Sequence, residues 1–201
     1  MMKKVLICTG IFPPQIGGPA TYSKLLLDKL PTRGIDVRIQ NFGSVIKYPK
    51  VIRHIIYFFK VFFSSFDVDI IYAQDPVSVG LPAFFTARVL RKKFYIKIVG
   101  DYAWEQGTQR YGVTDLLDEF SVGYKKYSWQ VRMLKRIQFF VTNNADKIIV
   151  PSNYLKKILV NWGIKGDKIQ VIYNAFHAID FNGTKEEMRK KFNINFPMII
   201  S

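Results

Sequence analysis

The chain has 201 residues, 49% of them hydrophobic, which is enough for one domain with a full core. Its single cysteine, Cys8, excludes an internal disulfide. No uncharged apolar run reaches the roughly 18 residues that a membrane-spanning helix needs. The first apolar run is short and ends at Pro13 and Pro14, so it does not resemble a secretory leader. The sequence therefore predicts a cytoplasmic protein.

Basic residues outnumber acidic ones by 30 to 15, which gives a formal net charge of +15. Two long stretches contain no acid at all, one between Asp36 and Asp67 and one between Glu119 and Asp146. A field of this sign favours phosphate-bearing partners or an anionic membrane surface. The alternative is a solvated basic surface that serves only solubility. No nucleic acid partner is expected, because the basic residues are not interleaved as a stacking platform.

Short apolar runs alternate with helical patterns along the chain, which is typical of parallel βαβ units whose strands are buried on both faces. The predicted fold is therefore α/β, with a Rossmann-like, doubly wound parallel sheet. The strands are predicted at 5–9, 36–40, 68–73, 94–99, 147–150 and 169–173. The helices are predicted at 19–32, 50–65, 77–91, 124–145 and 152–162.

Ligands of such sheets bind beyond the carboxyl ends of the strands, so the residues that follow each strand matter most. After the first strand come Gly17 and Gly18, and then Pro19, which suits the first turn of a helix. Glycines at this point let a ligand approach the backbone, and the positive end of the helix dipole favours an anion. The pattern predicts a diphosphate site at Gly17 and Gly18. The alternative is a tight connection between strand and helix.

Carboxylates follow two further strands at the same predicted edge. Asp75 precedes a proline, which is also an ordinary way to begin a helix. Asp101 lies in the segment GDYAWE, beside a glycine and near two aromatic residues, and is a candidate to bind hydroxyl groups or to orient a substrate. The aromatic residues of this segment are not at the spacing of a helix core.

A sharp division between polar and apolar residues marks the predicted helix at 50–65. One arc of the helical wheel is basic, and we expect it to face anionic lipid. The opposite arc is apolar, and we expect it to pack on the sheet. The basic arc contains Lys50, Arg53, Tyr57 and Lys60, together with His54 and Ser64. The apolar arc contains Ile52, Ile55, Phe59, Phe62, Phe63 and Phe66.

Several kinds of site are not predicted. One cysteine and two scattered histidines do not provide the ligands of a metal site. The sequence contains neither the G-x-S-x-G elbow of hydrolases nor the G-x-x-x-x-G-K-[ST] loop of nucleoside triphosphatases. We therefore expect no metal and no bound cofactor.

Five segments together resemble the amino-terminal domain of GT-B glycosyltransferases of family 4. They are FPPQIGGPATYSKLLLDKL, DVDIIYAQDP, KIVGDYAWE, ADKIIVPSNYLKKIL and KIQVIYNAF. The resemblance implies transfer of a sugar from a nucleotide-sugar donor with retention of configuration and without a metal. It also implies that this domain is the acceptor-binding half, with a glycan or lipid-linked acceptor.

The resemblance also implies roles for particular residues. Gly17 and Gly18 would approach the donor diphosphate, and Asp101 would be the catalytic residue. The expected acceptor-binding residues are Pro19, Asp75, Tyr102, Trp104 and Glu105. Many family members carry a histidine where this chain has Gly100, which puts the usual contact with the donor sugar in doubt.

Residues 1–175 are predicted to form the amino-terminal domain. Residues 176–201 are predicted to be a linker and the first strand of a carboxy-terminal domain that binds the donor. On this interpretation the chain is half of a larger enzyme, associates peripherally with the inner face of the membrane, and has little activity alone. The alternative function is a non-catalytic module that binds anionic lipid or a phosphorylated glycan, and Gly100 favours it slightly.

Overall fold

A computed structural model describes residues 2–175 and 183–193 of the chain. The strands are β1 (Lys3–Thr9), β2 (Ile35–Asn41), β3 (Ile70–Ala73), β4 (Lys93–Lys97), β5 (Lys147–Val150) and β6 (Ile169–Val171). The helices are α1 (Gly18–Lys29), α2 (Lys50–Ser64), α3 (Gly80–Val89), α4 (Tyr102–Arg110), α5 (Leu117–Val122), α6 (Trp129–Asn143), α7 (Asn153–Asn161) and α8 (Lys185–Lys191). None of these helices is long and apolar enough to cross a bilayer.

The strands form one parallel sheet in the order β2-β1-β3-β4-β5-β6. Next to the edge strand β2, Val5 of β1 pairs with Val37 of β2 on one side and with Ile70 of β3 on the other. The connection after β1 leads to β2 on one side of β1, and the connection after β2 leads to β3 on its other side. The direction in which strands are added to the sheet therefore reverses between β1 and β3. Such a switch point opens a crevice at the carboxyl edge of the sheet. The predicted α/β, Rossmann-like fold is confirmed.

The core lies mainly on one face of the sheet. There Leu6, Ile71, Ile96 and Ile148 are fully buried beneath helices α2, α3, α6 and α7. Burial of each such side chain contributes about 1.5–3 kcal/mol. On the other face α1 packs on a smaller cluster, whose buried members are Ile7, Val37 and Tyr72.

Helices α4 and α5 lie where the sequence pattern did not predict a helix. Asp101 and Ser128 cap the amino termini of α4 and α6, so the helix predicted from residue 124 begins only at Trp129. The segments pack together in a small second core of Ala103, Phe120, Tyr127 and Val131. Their apolar residues are too few and too dispersed along the sequence to show a helical period.

The predicted linker and strand at 176–201 fall partly outside the described residues, which omit 176–182 and 194–201. Between these gaps, α8 begins with a capping box in which Thr184 and Glu187 hydrogen bond each other's backbone N–H. A helix thus occupies part of the segment that was predicted as a linker. The division into two domains stays a prediction.

Candidate active site

The loop between β1 and α1 carries the predicted diphosphate site. Gly17 has φ of 154°, and a Cβ at this position would lie 2.7 Å from Cδ1 of Ile11. Gly18 has no such neighbour within 4 Å and is exposed. Gly17 is therefore required by the fold of the loop, whereas the backbone at Gly18 is open to a ligand.

The amino terminus of α1 faces the same edge of the sheet. Gly17 is its N-cap and provides no side-chain hydrogen bond, and Pro19 lies in the first turn, as predicted. Backbone N–H groups of an uncapped first turn remain available, and the helix dipole adds a partial positive charge. This geometry suits an anion, which is the chemistry predicted for Gly17 and Gly18.

Asp75 follows β3 and closes the turn that leads to α3. Its Oδ1 accepts hydrogen bonds from the backbone N–H groups of Val77 and Ser78 at 2.8 and 2.6 Å. Burial raises the pKa of this carboxyl, and these hydrogen bonds oppose the shift. These contacts are those of a turn, so the geometry favours the simpler interpretation of Asp75 as the start of a helix.

Asp101 is 1% exposed and lies within a hydrogen-bonded network. Its Oδ1 accepts from the backbone N–H of Trp104 at 3.0 Å and from Nε2 of Gln138 at 2.9 Å. Its Oδ2 accepts from Nε1 of Trp162 at 3.0 Å. Burial raises the pKa of Asp101, while the hydrogen bond from Gln138 is the strongest opposing influence. The two oxygens thus join α4 to α6 and to the residue that follows α7, and each already accepts a hydrogen bond.

The three remaining acceptor candidates on α4 point in different directions. Tyr102 lines an apolar groove, and its hydroxyl accepts a hydrogen bond from Oγ of Ser78 at 2.9 Å. Trp104 packs against the small second core, and its Nε1 donates to the carbonyl oxygen of Asp115 at 2.8 Å. The carboxylate of Glu105 lies where a side chain at Gly100 would begin. A histidine at position 100 would therefore require Glu105 to move.

The apolar groove has a volume of about 730 Å³. It lies between α2, α3, α4 and α6, and most of its lining is aliphatic or aromatic. Its cationic side chains are those of Arg53 and Arg110, and Nε of Arg53 is buried without a hydrogen-bond partner among the described residues. The apolar lining includes Ile55, Phe58, Phe59, Leu81, Phe85, Met133, Leu134 and Ile137.

The groove could not be predicted from the sequence, because its lining comes from helices that are distant along the chain. One indication was present in the sequence: α2 contains more apolar residues than one side of a helix needs to pack on a sheet.

Helix α2 is oriented opposite to the prediction. Tyr57 is fully buried, and its hydroxyl donates to the carbonyl oxygen of Gln40 at 2.9 Å. Arg53 is half-buried beside the ring of Phe42, with 5.6 Å between Cζ and the ring centroid. Lys60 is exposed and donates to Oγ of Ser44 at 3.0 Å. Lys50 begins the helix, and its side chain lies outside what the structure describes.

The prediction that Tyr57 faces a membrane is therefore wrong, as is the assignment of the apolar arc to the core. The polar arc meets the protein, where hydrogen bonds satisfy the hydroxyls of Tyr57 and Ser64, the latter through Nε2 of Gln40 at 2.7 Å. The exposed side of α2 is apolar instead, and we call it the α2 apolar face. Its members are Val51, Ile52, Ile55, Phe59 and Phe63, and Phe66 lies just beyond the helix end.

Within residues 2–175 and 183–193, no three histidine, cysteine or carboxylate side chains come together as a metal site requires. Whether the reaction needs a metal stays a prediction.

The model of the family described as Glycosyltransferase Family 4 matches residues 38–178, which is more than half of the sequence. This chain belongs to glycosyltransferase family 4. The match agrees with the resemblance of the five sequence segments and with the parallel sheet, which forms the amino-terminal half of a GT-B architecture. None of the curated proteins matches the chain.

Solved structures share the fold at low sequence identity. HepE of Anabaena, in complex with UDP and glucose, is 14% identical with a TM-score of 0.56, covering 96% of this chain and 50% of HepE. The lipopolysaccharide outer core galactosyltransferase WaaB, in its apo form, is 18% identical with a TM-score of 0.50, covering 87% and 46%. UDP-GlcNAc 2-epimerase of Methanocaldococcus jannaschii is 14% identical with a TM-score of 0.50, covering 85% and 45%. The chain thus spans about half the length of these structures.

Proposed function

We propose that this chain is the acceptor-binding half of a retaining glycosyltransferase that transfers a sugar from a nucleotide-sugar donor to a lipid-linked acceptor. Membership of family 4 supports sugar transfer in general. The UDP and UDP-glucose bound to HepE support a nucleotide-sugar donor. Retention of configuration, and a reaction without metal or cofactor, follow from the family resemblance alone.

The groove is the observation that carries the acceptor assignment. Its lining is largely apolar, and it begins at the carboxyl edge of the sheet, where Val77 and Tyr102 lie after β3 and β4. Arg53 and Arg110 supply positive charge beside this lining. An acyl or isoprenoid chain with a phosphate at its head fits this combination, because the chain buries apolar surface while the phosphate pairs with the guanidinium groups.

The α2 apolar face gives such an acceptor a route from the bilayer. Ile55 and Phe59 belong both to this face and to the groove lining. In the proposal, the face enters the membrane interface peripherally, and the basic surface around it favours anionic lipid. A lipid chain then passes into the groove without crossing water.

Roles of the predicted residues follow from where they lie. Gly18 and the first turn of α1 receive the donor diphosphate, and Tyr102 contacts the acceptor. Asp101 is a positioning residue that holds the start of α4 through Gln138 and Trp162. Pro19, Asp75 and Trp104 support the loops, and Glu105 occupies the space beside Gly100.

The test uses the complete protein, a panel of nucleotide-sugars, and one acceptor glycan with and without a lipid phosphate. Met133→Trp places an indole in the groove from a position that is 44% exposed, so the core stays intact. We expect KM for the lipid-linked acceptor to rise about tenfold while KM for the donor stays the same. Val160→Trp on α7 is the control, since Val160 is similarly exposed but lies off the groove. Equal turnover of the acceptor without its lipid would contradict the assignment.

The 201-residue chain alone is expected to bind ligands but to transfer little or no sugar. Robust turnover by this chain would contradict its role as one half of the site.

A non-catalytic lipid-binding module is the second candidate, and the α2 apolar face favours it because lipid binding needs no donor site. If the complete protein binds anionic vesicles but neither binds nor consumes any nucleotide-sugar, this second function replaces the first.

A further inference from the structure

A second, smaller cavity of about 120 Å³ lies at the switch point of the sheet. It is separate from the apolar groove and opens beside the first turn of α1. Gly18, Pro19 and Tyr22 line it from α1, and Gln74, Lys97 and Asn174 line it from the ends of β3, β4 and β6. None of the last three residues was predicted as a site residue from the sequence.

Lys97 places a cation in this cavity without a counter-charge. Lys97 is 2% exposed, and its Nζ donates a hydrogen bond to Oδ1 of Asn174 at 2.6 Å. Nζ also lies 3.3 Å from the centroid of the Tyr22 ring. No carboxylate in the described ranges forms an ion pair with it, and burial lowers the pKa of this ammonium to about 8. A buried ammonium without an anion is unfavourable, so the site favours an anionic ligand.

Gln74 brings an unsatisfied amide to the same cavity. It is 6% exposed, and its Oε1 contacts the hydroxyls of Ser23 at 2.9 Å and Thr9 at 3.2 Å. Its Nε2 is buried and has no hydrogen-bond partner among the described residues. The same two hydroxyls also lie near the carbonyl oxygens of Ile11 and Pro19, at 2.9 and 2.7 Å. Turning the amide over would leave Oε1 as the unpaired atom, which suits a ligand hydroxyl, whereas Nε2 in the cavity suits an oxyanion. Buried polar atoms are nearly always paired in folded proteins, so this one indicates a missing ligand.

The first turn of α1 completes a set of groups that favour negative charge. Gly17 provides no side-chain cap, and a Cβ at Gly18 would meet nothing within 4 Å. The backbone of this turn is therefore open to a ligand in the cavity, and the helix dipole adds to the charge of Lys97. Three independent features, a buried cation, an unpaired buried amide and an open helix terminus, converge on one small volume.

We propose that this cavity is an oxyanion site that binds a phosphoryl group of the nucleotide-sugar donor, with Lys97 as its charge and Gln74 as its second polar contact. The inference rests on the proposed function for the identity of the donor. It adds two side chains of the amino-terminal domain to a contact otherwise assigned only to the backbone at Gly17 and Gly18.

Binding is tested by calorimetry and thermal shift on the complete protein at low ionic strength, with UDP, pyrophosphate and uridine as probes. We expect UDP and pyrophosphate to bind and uridine to bind at least tenfold more weakly. Lys97→Met should weaken the binding of UDP and of pyrophosphate at least tenfold. Lys93→Met, which removes an exposed lysine from the other end of β4, is the control and should leave both unchanged.

Gln74→Glu is a second variant of nearly the same shape. It supplies a carboxylate to the cavity, so we expect it to abolish pyrophosphate binding and to raise the melting temperature of the unliganded protein. A Lys97→Met variant that keeps its fold and binds pyrophosphate as tightly as the wild type would overturn the site. Binding of short-chain phosphatidate in place of UDP would overturn the assignment to the donor.

Failure of this inference can be separated from failure of the proposed function. If the complete protein transfers sugar and Lys97→Met leaves KM for the donor unchanged, the function stands and the site is overturned. If no nucleotide-sugar is consumed but pyrophosphate binds in a manner that depends on Lys97, the site stands and the proposed function is overturned.

Discussion

Gly17 and Gly18 are adjacent but differ in what the structure requires of them. A methyl group at Gly17 would clash with Ile11, and the φ of Gly17 is unfavourable for any residue with a side chain. A methyl group at Gly18 would lie in open space. We expect Gly17→Ala to lower the free energy of unfolding by about 1–3 kcal/mol. Gly18→Ala should change it by less than about 1 kcal/mol, since alanine is tolerated in a first helical turn. Urea denaturation measures both values.

Gly18→Ala is therefore the cleaner probe of the diphosphate site. If the backbone approaches the phosphate at Gly18, the added methyl group should weaken UDP binding about tenfold in a protein of normal stability. Unchanged binding of UDP to Gly18→Ala would show that the ligand stays away from this backbone. A large loss of stability in Gly17→Ala would not bear on binding, because that variant changes the loop itself.

Lys97 should make stability depend on pH in a defined direction. Its pKa in the folded chain is about 8, below the ordinary value of 10.5, because burial disfavours the charged form. Between these two values the unfolded chain binds more protons than the folded chain, so the stability of the wild type rises with pH. Below pH 8 the full penalty of the buried cation is present.

Lys97→Met removes this penalty and should be more stable than the wild type at pH 7 by about 1–3 kcal/mol. The difference should shrink as the pH rises from 8 towards 10. Nζ of Lys97 contacts the ring of Tyr22, whose hydroxyl lies 3.4 Å from that of Tyr72. Burial raises the pKa of Tyr72, so Tyr72 stays neutral over this range. Denaturation at several pH values checks the trend, and a constant difference would show that Lys97 does not lose its charge there.

Single residues show where prediction from sequence stopped. Asp101 was a reasonable candidate because it follows a strand, but its partners Gln138 and Trp162 lie far along the chain and cannot be inferred from a local pattern. Lys97 gave no signal, since one lysine in an apolar strand usually reaches solvent. Gly17 and Gly18 could be predicted as a diphosphate site because the prediction needs only the backbone of one loop, and it stays a prediction.

Helix α2 shows a different limit. Its span and its division into two arcs were predicted correctly, yet the arcs face opposite to the prediction. A helical wheel gives the angle between polar and apolar residues, but it does not say which side meets the protein. The buried hydroxyl of Tyr57 depends on the carbonyl oxygen of Gln40, and the exposure of Phe59 and Phe63 depends on the absence of a covering element among the described residues.

Two variants of α2 should have opposite effects. Phe59→Ser with Phe63→Ser changes side chains that are 50% and 68% exposed, so stability should change by less than about 1 kcal/mol while binding to anionic vesicles falls at least tenfold. Tyr57→Phe leaves the buried carbonyl of Gln40 without its donor and should destabilise by about 1–2 kcal/mol with vesicle binding unchanged. Vesicle sedimentation and urea denaturation measure the two effects. If Tyr57→Phe lost vesicle binding and the double serine variant did not, the polar arc rather than the α2 apolar face would contact the membrane.

The architecture as a whole was the most predictable feature. Strands buried on both faces, alternating with helices, allow few arrangements other than a parallel sheet, and the carboxyl edge then locates the ligands. The helices α4 and α5 were missed because their small core forms only after the main sheet brings them together. The groove between α2 and α6 was missed for the same reason, since it belongs to the packed molecule and to no single segment.

The net charge of +15 and the α2 apolar face predict two components of membrane binding that respond differently to salt. Electrostatic attraction is screened within about 10 Å at 0.1 M salt and about 3 Å at 1 M, whereas apolar burial is not screened. We expect vesicles with 30% phosphatidylglycerol to bind strongly at 50 mM NaCl and about tenfold or more weakly at 500 mM, with a residual level equal to that on neutral vesicles.

The Phe59→Ser, Phe63→Ser variant separates the two components. At 50 mM NaCl it should retain a weak attraction to anionic vesicles from charge alone, and at 500 mM it should not bind either kind of vesicle. The complete protein is used, as in the other binding experiments. Salt-independent binding by the wild type would assign membrane attachment to the apolar face alone. Equal binding by the variant at both salt concentrations would remove α2 from the membrane contact, and the groove would then have to receive its lipid from solution.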